Sequence, residues 1–324
     1  MPVYDADGLN RSAEGRYYSP KMQWWCGHAQ VVDQENRSWS FYYWPSLGSL
    51  DECWICSLHT SDRVIDLTTL HLPVGTIQTS RDGVDVRYGA NRLYGAFPKY
   101  AIHVEGKDGA TPLVLDLAFE AEASVFQALK HLTGITWHYI PRMSAAGTLR
   151  LGDKLLKLKG HGYYERRRGR FWAPGNKMAL WESIPYAGSE GMSIPLFYKV
   201  WRNDGSPALQ TMTFTLDGRT LIHFPEVDVD IQETRKFPGF DDVDHPMRFR
   251  LAAKGADGHA EVIVTRSPHR IMMRNYLKEP FDEARTAGMY GPGHTEGHVV
   301  YRGKTYTVKA DSYGSALYFR RAGQ

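Results

Sequence analysis

From Met22 onward, apolar and polar positions alternate in short runs rich in Trp, Tyr, Val and Leu, each closed by Gly, Asp, Asn or Pro. A period of two places successive side chains on opposite faces of an extended chain, so these runs predict strands. The first group is Met22–Val32, Trp39–Trp44, Cys53–Thr60, Val84–Tyr88, Tyr100–Glu105 and Leu113–Phe119, with Asp82-Gly83 and Asp108-Gly109 as tight-turn signals. Leu149–Gly160, Gly162–Trp172, Met178–Ile184, Ser193–Trp201, Thr211–Leu216 and Thr220–Phe224 continue the pattern, with a turn at Asp217-Gly218. Only Glu120–His131 has a helical spacing. The acidic, turn-rich passage Pro225–Pro246, with Pro238-Gly239 and the cluster Asp241, Asp242 and Asp244, reads as a solvated linker. Beyond it, Met247–Ala253, Ala260–Arg266, Ile271–Leu277, His298–Tyr301 and Lys304–Ala310 again read as strands. The expectation is an all-β chain of two β-barrel domains side by side, spanning 1–224 and 225–324, with little helix.

Composition narrows the function classes. The 324 residues are long enough for two domains. A net charge of +3 and no nucleic-acid-binding motif argue against nucleic acid as a partner. No apolar run approaches the ~18 residues that cross a bilayer. Met1–Ser19 lacks the apolar centre of a secretory signal, and Cys26, Cys53 and Cys56 are too few for a disulfide framework, so a cytoplasmic location is expected. Cys53 and Cys56 fall on opposite faces of a strand and suit buried apolar thiols better than a metal pair. His294 and His298 lie four apart but between glycines, which excludes a helical metal motif. Neither a metal nor an organic cofactor is implied.

The densest chemistry lies in Gly160–Trp172. On a strand His161, Tyr163, Glu165, Arg167 and Phe171 share one face, and Tyr164, Arg166, Arg168, Arg170 and Trp172 share the other. Burying unpaired guanidinium groups costs several kcal/mol each, so the three-arginine face is expected in solvent and the Glu165 face inward. A carboxylate, imidazole, phenol and guanidinium together form a proton-transfer and anion-binding set. A buried Glu165–Arg167 pair that only holds the strand is the alternative. His28 and Trp24 share a face of the early run, and Tyr43, Trp54 and Trp181 add rings suited to lining an apolar cavity, or to an ordinary barrel core.

Several segments carry a resemblance. Trp24-Trp25, Phe97-Pro98-Lys99-Tyr100, Pro112–Phe119, Ser144–Leu149, Gly160–Glu165 closing at Gly169, Glu296–Val299 and Gly303–Tyr306 together resemble the lipocalin-like hydroxyneurosporene synthase (carotenoid 1,2-hydratase) family. Fungal Diels–Alderases and kievitone hydratase are its looser relatives. The resemblance implies two lipocalin-like β-domains, no cofactor, and an interior pocket for a hydrophobic isoprenoid- or polyketide-like substrate. Where the family hydratases tend to show Gly-Tyr-x-Asp-His-Asn-Trp-Gly, this chain has Gly162-Tyr163-Tyr164-Glu165-Arg166-Arg167-Arg168-Gly169. Glu165 matches the acidic residue, and arginines replace the His, Asn and Trp. An arginine in the pocket suits a substrate with a carboxylate or enolate.

The leading expectation is a cofactor-independent hydratase, dehydratase or proton-shifting isomerase of a conjugated apolar substrate. Glu165 would be the acid/base, Tyr163, His161 and His28 its relay partners, and Arg167 the oxyanion holder. Trp24, Tyr43, Trp54, Trp181 and Phe171 would line the substrate. A pericyclase acting through orientation, and a carrier that leaves its ligand unaltered, are the alternatives.

Overall fold

The computed structural model describes residues 3–4, 22–48, 52–81, 83–128, 135–169, 176–183, 192–202, 207–237, 240–267, 272–275 and 284–321. Their regular structure is all β, in a lipocalin-like arrangement. The first sheet holds β1 (Val3–Tyr4), β2 (Met22–Asp33), β3 (Ser38–Gly48), β4 (Glu52–His59), β5 (Val64–Asp66), β6 (Thr69–Leu72), β7 (Gln78–Thr79), β8 (Val84–Tyr88), β9 (Asn91–Ala96), β10 (Lys99–Asp108), β11 (Thr111–Ala121), β12 (Val125–Ala128), β13 (Ile135–Leu151) and β14 (Lys154–Gly169). The second holds β15 (Asn176–Ser183), β16 (Met192–Arg202), β17 (Pro207–Leu216), β18 (Thr220–Phe224), β19 (Glu226–Phe237), β20 (Phe240–Gly255), β21 (Gly258–Arg266), β22 (Met272–Asn275), β23 (Ala284–Tyr301) and β24 (Lys304–Arg321). Among the described residues no helix is long and apolar enough to cross a membrane.

In the first sheet the pairing order runs β5-β4-β3-β2-β14-β13-β11-β10-β9-β8-β7. Neighbours along this order pair antiparallel. Strands distant in this order meet: the rings of Trp54 on β4 and Tyr88 on β8 lie 6.1 Å apart. One apolar cluster joins Trp25, Tyr43 and Trp54 to Val86, Leu93, Ile102 and Leu115, so the sheet curls around a packed core. Two glycines permit close approach to that core. A Cβ on Gly27 would stand 2.3 Å from the Tyr43 hydroxyl, and one on Gly162 would stand 2.8 Å from the Phe119 ring.

The structure departs from three expectations. Glu120–His131 is no helix over its described part: Glu120 and Ala121 end β11, and Val125–Ala128 form β12 against β13. Val125 and Phe126 are both buried, on opposite faces, so tertiary burial overrides the helical spacing. The division between units falls after Ala173, well before the acidic passage. The reason is pairing: β15 to β18 belong to the second sheet, where β15 pairs with β24. Finally, the acidic passage is a hairpin of β19 and β20 rather than a linker. Its charged residues Glu226, Asp228, Asp230, Glu233 and Asp244 stand on solvated or half-solvated sides of strands whose other positions include Val227, Phe249 and Leu251 of the second core. Charge at every second position resembles a linker only when the apolar partner strand is overlooked.

Candidate functional site

Strand β14 lies between β13 and β2, and register dictates which side chains share its faces. Trp137, Arg167 and Trp24 form one row across the three strands, and Tyr139, Glu165 and Cys26 form the next. Tyr163 pairs with His28. The other face carries Tyr164, Trp25 and Ala29 into the apolar core. Glu165 and Arg167 therefore project from the convex face of the curled sheet, not into its hollow, yet they are only 2% and 1% exposed.

Glu165 is gripped from three directions. Its Oε2 accepts from Tyr163 Oη at 2.6 Å, Arg167 Nη2 at 2.8 Å and Trp137 Nε1 at 2.9 Å. Three donors thus converge on one carboxylate oxygen. The Arg167 guanidinium in turn lies 3.8 Å from the Trp137 ring centre and 5.6 Å from that of Trp24. Two indole faces thus replace part of the hydration that the buried cation has lost. The His28 ring stacks on Tyr163 with centres 5.0 Å apart, and Tyr139 stacks on Tyr163 at 6.2 Å. Cys26 Sγ donates to the Tyr42 hydroxyl at 3.5 Å.

Burial sets the protonation of the surrounding groups. It lowers the His28 pKa to about 3, so the imidazole is neutral. It pushes the Tyr163 phenol well up, and the charge of Glu165 adds to this. The Cys26 thiol is likewise raised by burial and then by Glu165. The site accordingly pairs one carboxyl and one guanidinium with neutral hydrogen-bonding groups, inside aromatic walls. Such a set can move a proton at Glu165 and hold developing negative charge at Arg167.

The arginine next in sequence departs from expectation. Arg166 is not in solvent: it is 1% exposed on the core side, where it stacks 4.0 Å over Trp25. Its Nη1 donates to the carbonyls of Trp24 at 3.0 Å and Arg167 at 2.6 Å, and Nη2 donates to Gln23 Oε1 at 2.6 Å. Backbone carbonyls and a ring face satisfy a guanidinium that sequence reasoning assigned to water.

The structure brings together Glu165, Tyr163, Arg167, His28 and Trp24. His161 stands apart, half-buried, with burial lowering its pKa and with Glu122, Arg142 and Lys159 as its charged neighbours. Tyr43 and Trp54 belong to the packed apolar core on the opposite face and line no common surface with Glu165. They are misassigned because rings on neighbouring strands share a face only at matching register, which a single sequence does not display. Trp181 lies on β15 of the second sheet, its side chain outside the described residues, and Phe171 lies outside them altogether. Tyr139, two residues from the Trp137 ring on β13, is the residue whose role the sequence did not reveal. The alternating aromatic spacing of the two was the available signal. Cys53 and Cys56 are both buried, on opposite faces of β4.

No protein-family model and no curated protein sequence matches the chain. Solved structures do. A protein assigned as AttH from Nitrosomonas europaea superposes with a TM-score of 0.66 at 12% identity, covering 93% of this chain and 94% of that one. Kievitone hydratase from Nectria haematococca gives 0.65 at 13% identity, with 99% and 93% covered. CghA gives 0.59 at 9% identity, with 99% and 98% covered. At these identities the likeness establishes that the chain shares its lipocalin-like all-β fold with those proteins.

Proposed function

We propose that the chain is an enzyme that adds or removes water, or shifts a proton, on a hydrophobic conjugated substrate, with Glu165 as the acid/base. The observation that carries this reading is the buried Glu165 carboxyl, tied through Oε2 to Tyr163, Trp137 and Arg167. With Oε2 occupied by donors, proton exchange with substrate runs through Oε1. Arg167, held between indoles, stabilises an enolate or carboxylate as charge develops. Trp24 and Trp137 supply the apolar walls. Kinship of fold with kievitone hydratase supports water chemistry by analogy of fold alone. The looser resemblance of sequence segments to carotenoid 1,2-hydratases supports an isoprenoid-like or polyketide-like substrate.

Pericyclic chemistry is the second reading, favoured by one detail: Glu165 accepts three hydrogen bonds, an arrangement that orients donors as readily as it moves protons. The experiment is to identify conjugated molecules that co-purify with the protein by mass spectrometry, then follow their conversion by the wild type and by Glu165→Gln. Acid–base chemistry predicts a loss of about a hundredfold or more in turnover. Undiminished turnover in the variant transfers the reaction to the pericyclic reading, and a bound ligand that is never converted makes the protein a carrier.

A further inference from the structure

Strand β19 ends the pairing order of the second sheet, and among the described residues it pairs with β20 alone. Its beginning is closed off, because Gln210 on β17 donates through Nε2 to the Val227 carbonyl. From there the strand runs out of the core. Val227 is 9% exposed, Val229 is half-buried against the same cluster, and Ile231, next on that apolar stripe, is 51% exposed. Gln232, Glu233, Thr234, Arg235 and Lys236 are exposed as well. Asp228 to Lys236 therefore present roughly 30 Å of strand edge to solvent.

An open edge offers backbone donors and acceptors to any extended chain, and proteins commonly guard such edges with charge. Charge of one sign along the whole strand guards best, since it repels a second copy in either direction. Strand β19 sorts its charge instead: Asp228 and Asp230 lie in the first half, Arg235 and Lys236 in the second, with Glu233 between. Laid antiparallel about a two-fold axis at Gln232, two copies set the acidic half of each edge against the basic half of the other. Asp228 then comes opposite Lys236 of the second copy and Asp230 opposite Thr234, and no like charges stand directly opposed. The two exposed Ile231 residues flank the axis and gain cover. The register shift between Ile231 and Glu233 in the pairing with β20 falls at this axis, where it disturbs neither charged half. Arg250 on β20 feels the charge of Asp228 and Asp230, but its two hydrogen bonds go to Glu261 at 2.9 Å each, which leaves both acids to act across the edge.

We infer that the exposed edge of β19 is a self-pairing surface, through which two copies of this chain join as a two-fold dimer with antiparallel strands across Asp228–Lys236. The pairing belongs to the second unit and does not depend on the chemistry proposed for Glu165. A contact of this length falls at the small end of specific interfaces, below about 1,200 Å², so the dimer is expected to be reversible. Sedimentation velocity of the full chain, from about 1 to about 100 μM, tests it. The wild type should pass from monomer to dimer as concentration rises. Two double variants, Asp228→Lys with Asp230→Lys and Arg235→Glu with Lys236→Glu, should each self-associate about tenfold or more weakly, with folding checked by circular dichroism. Mixed in equal amounts, the basic edge of one and the acidic edge of the other should pair again, a recovery that misfolding cannot produce. Should one variant fail to fold, the other still reads the loss. A wild type that stays monomeric throughout, a dimer that neither variant weakens, or folded variants that remain apart when mixed would overturn the self-pairing edge.

Discussion

Consider the removal of Glu165 by substitution with Leu. The Arg167 guanidinium is 1% exposed, and the Glu165 carboxylate that pairs with it at 2.8 Å would be gone, leaving a buried cation against the indoles of Trp137 and Trp24. Breaking a buried pair by deleting one partner costs about 3–5 kcal/mol. The Trp137 and Tyr163 donors also lose their acceptor, each at about 1–3 kcal/mol if no replacement is found. Cation–π contacts of about 2 kcal/mol moderate but do not cancel this. Arg167→Met should cost less, near 3 kcal/mol, since Trp137 and Tyr163 still bond the carboxylate. In the double variant no charge is stranded, so it should be more stable than the sum of the single effects implies, by about 2 kcal/mol. Urea unfolding followed by circular dichroism, with linear extrapolation, measures each value. A Glu165→Leu cost below about 1 kcal/mol, or coupling below about 0.5 kcal/mol, would refute the reasoning that these charges are desolvated and mutually dependent.

Three further outcomes follow from the same geometry. The folded chain keeps His28 neutral down to about pH 3, while the unfolded imidazole takes its proton near 6.5. Its contribution is therefore complete above pH 6.5 and declines by about 1.4 kcal/mol per pH unit toward pH 3; His28→Phe, which keeps a ring on Tyr163, should remove one proton's worth of slope from thermal melts across that range. Gly162→Ala should destabilise by about 1–3 kcal/mol, because its Cβ meets the Phe119 ring at 2.8 Å, and Phe119→Leu in the same chain should restore part of the loss; equal stability with and without the second change would contradict the steric account. Cys26, Cys53 and Cys56 are buried thiols and should be silent to Ellman's reagent in the native protein and fully reactive in denaturant. Rapid native reaction assigned to Cys26 would mean that the convex face is open to water.

Much of the architecture was legible because a period of two is a strong signal. Strands β2, β3, β8, β10, β11 and β21 fall where alternation or dense aromatics mark them, and Asp108-Gly109 and Asp217-Gly218 sit in turns with Gly109, Asp217 and Gly218 at positive φ. The grouping of Tyr163, Glu165 and Arg167 on one face followed from the same alternation. What eluded the sequence depends on pairing between distant strands. The Glu165 side of β14 was expected to face the hollow, but both sides are buried, and the apolar content of Trp25, Ala29 and Tyr43 on neighbouring strands decides which side becomes the core. Arg166 misled for a related reason: a guanidinium reads as solvated until the carbonyls of Trp24 and Arg167 are seen to lie within its reach. The domain boundary was misplaced because β19 carries its charges on the open side of a hairpin, and composition alone cannot separate that from a linker.

In the proposed reaction Glu165 exchanges a proton with a substrate held against the convex face. Incubating the co-purifying conjugated ligand with the protein in ²H₂O enriched in H₂¹⁸O, and reading its mass spectrum, tests this most directly. Deuterium should appear in the product, with ¹⁸O if water is added, and labelling should fall by about a hundredfold or more in Glu165→Gln. Product that forms at full rate without either isotope, or labelling that survives the substitution, would contradict it.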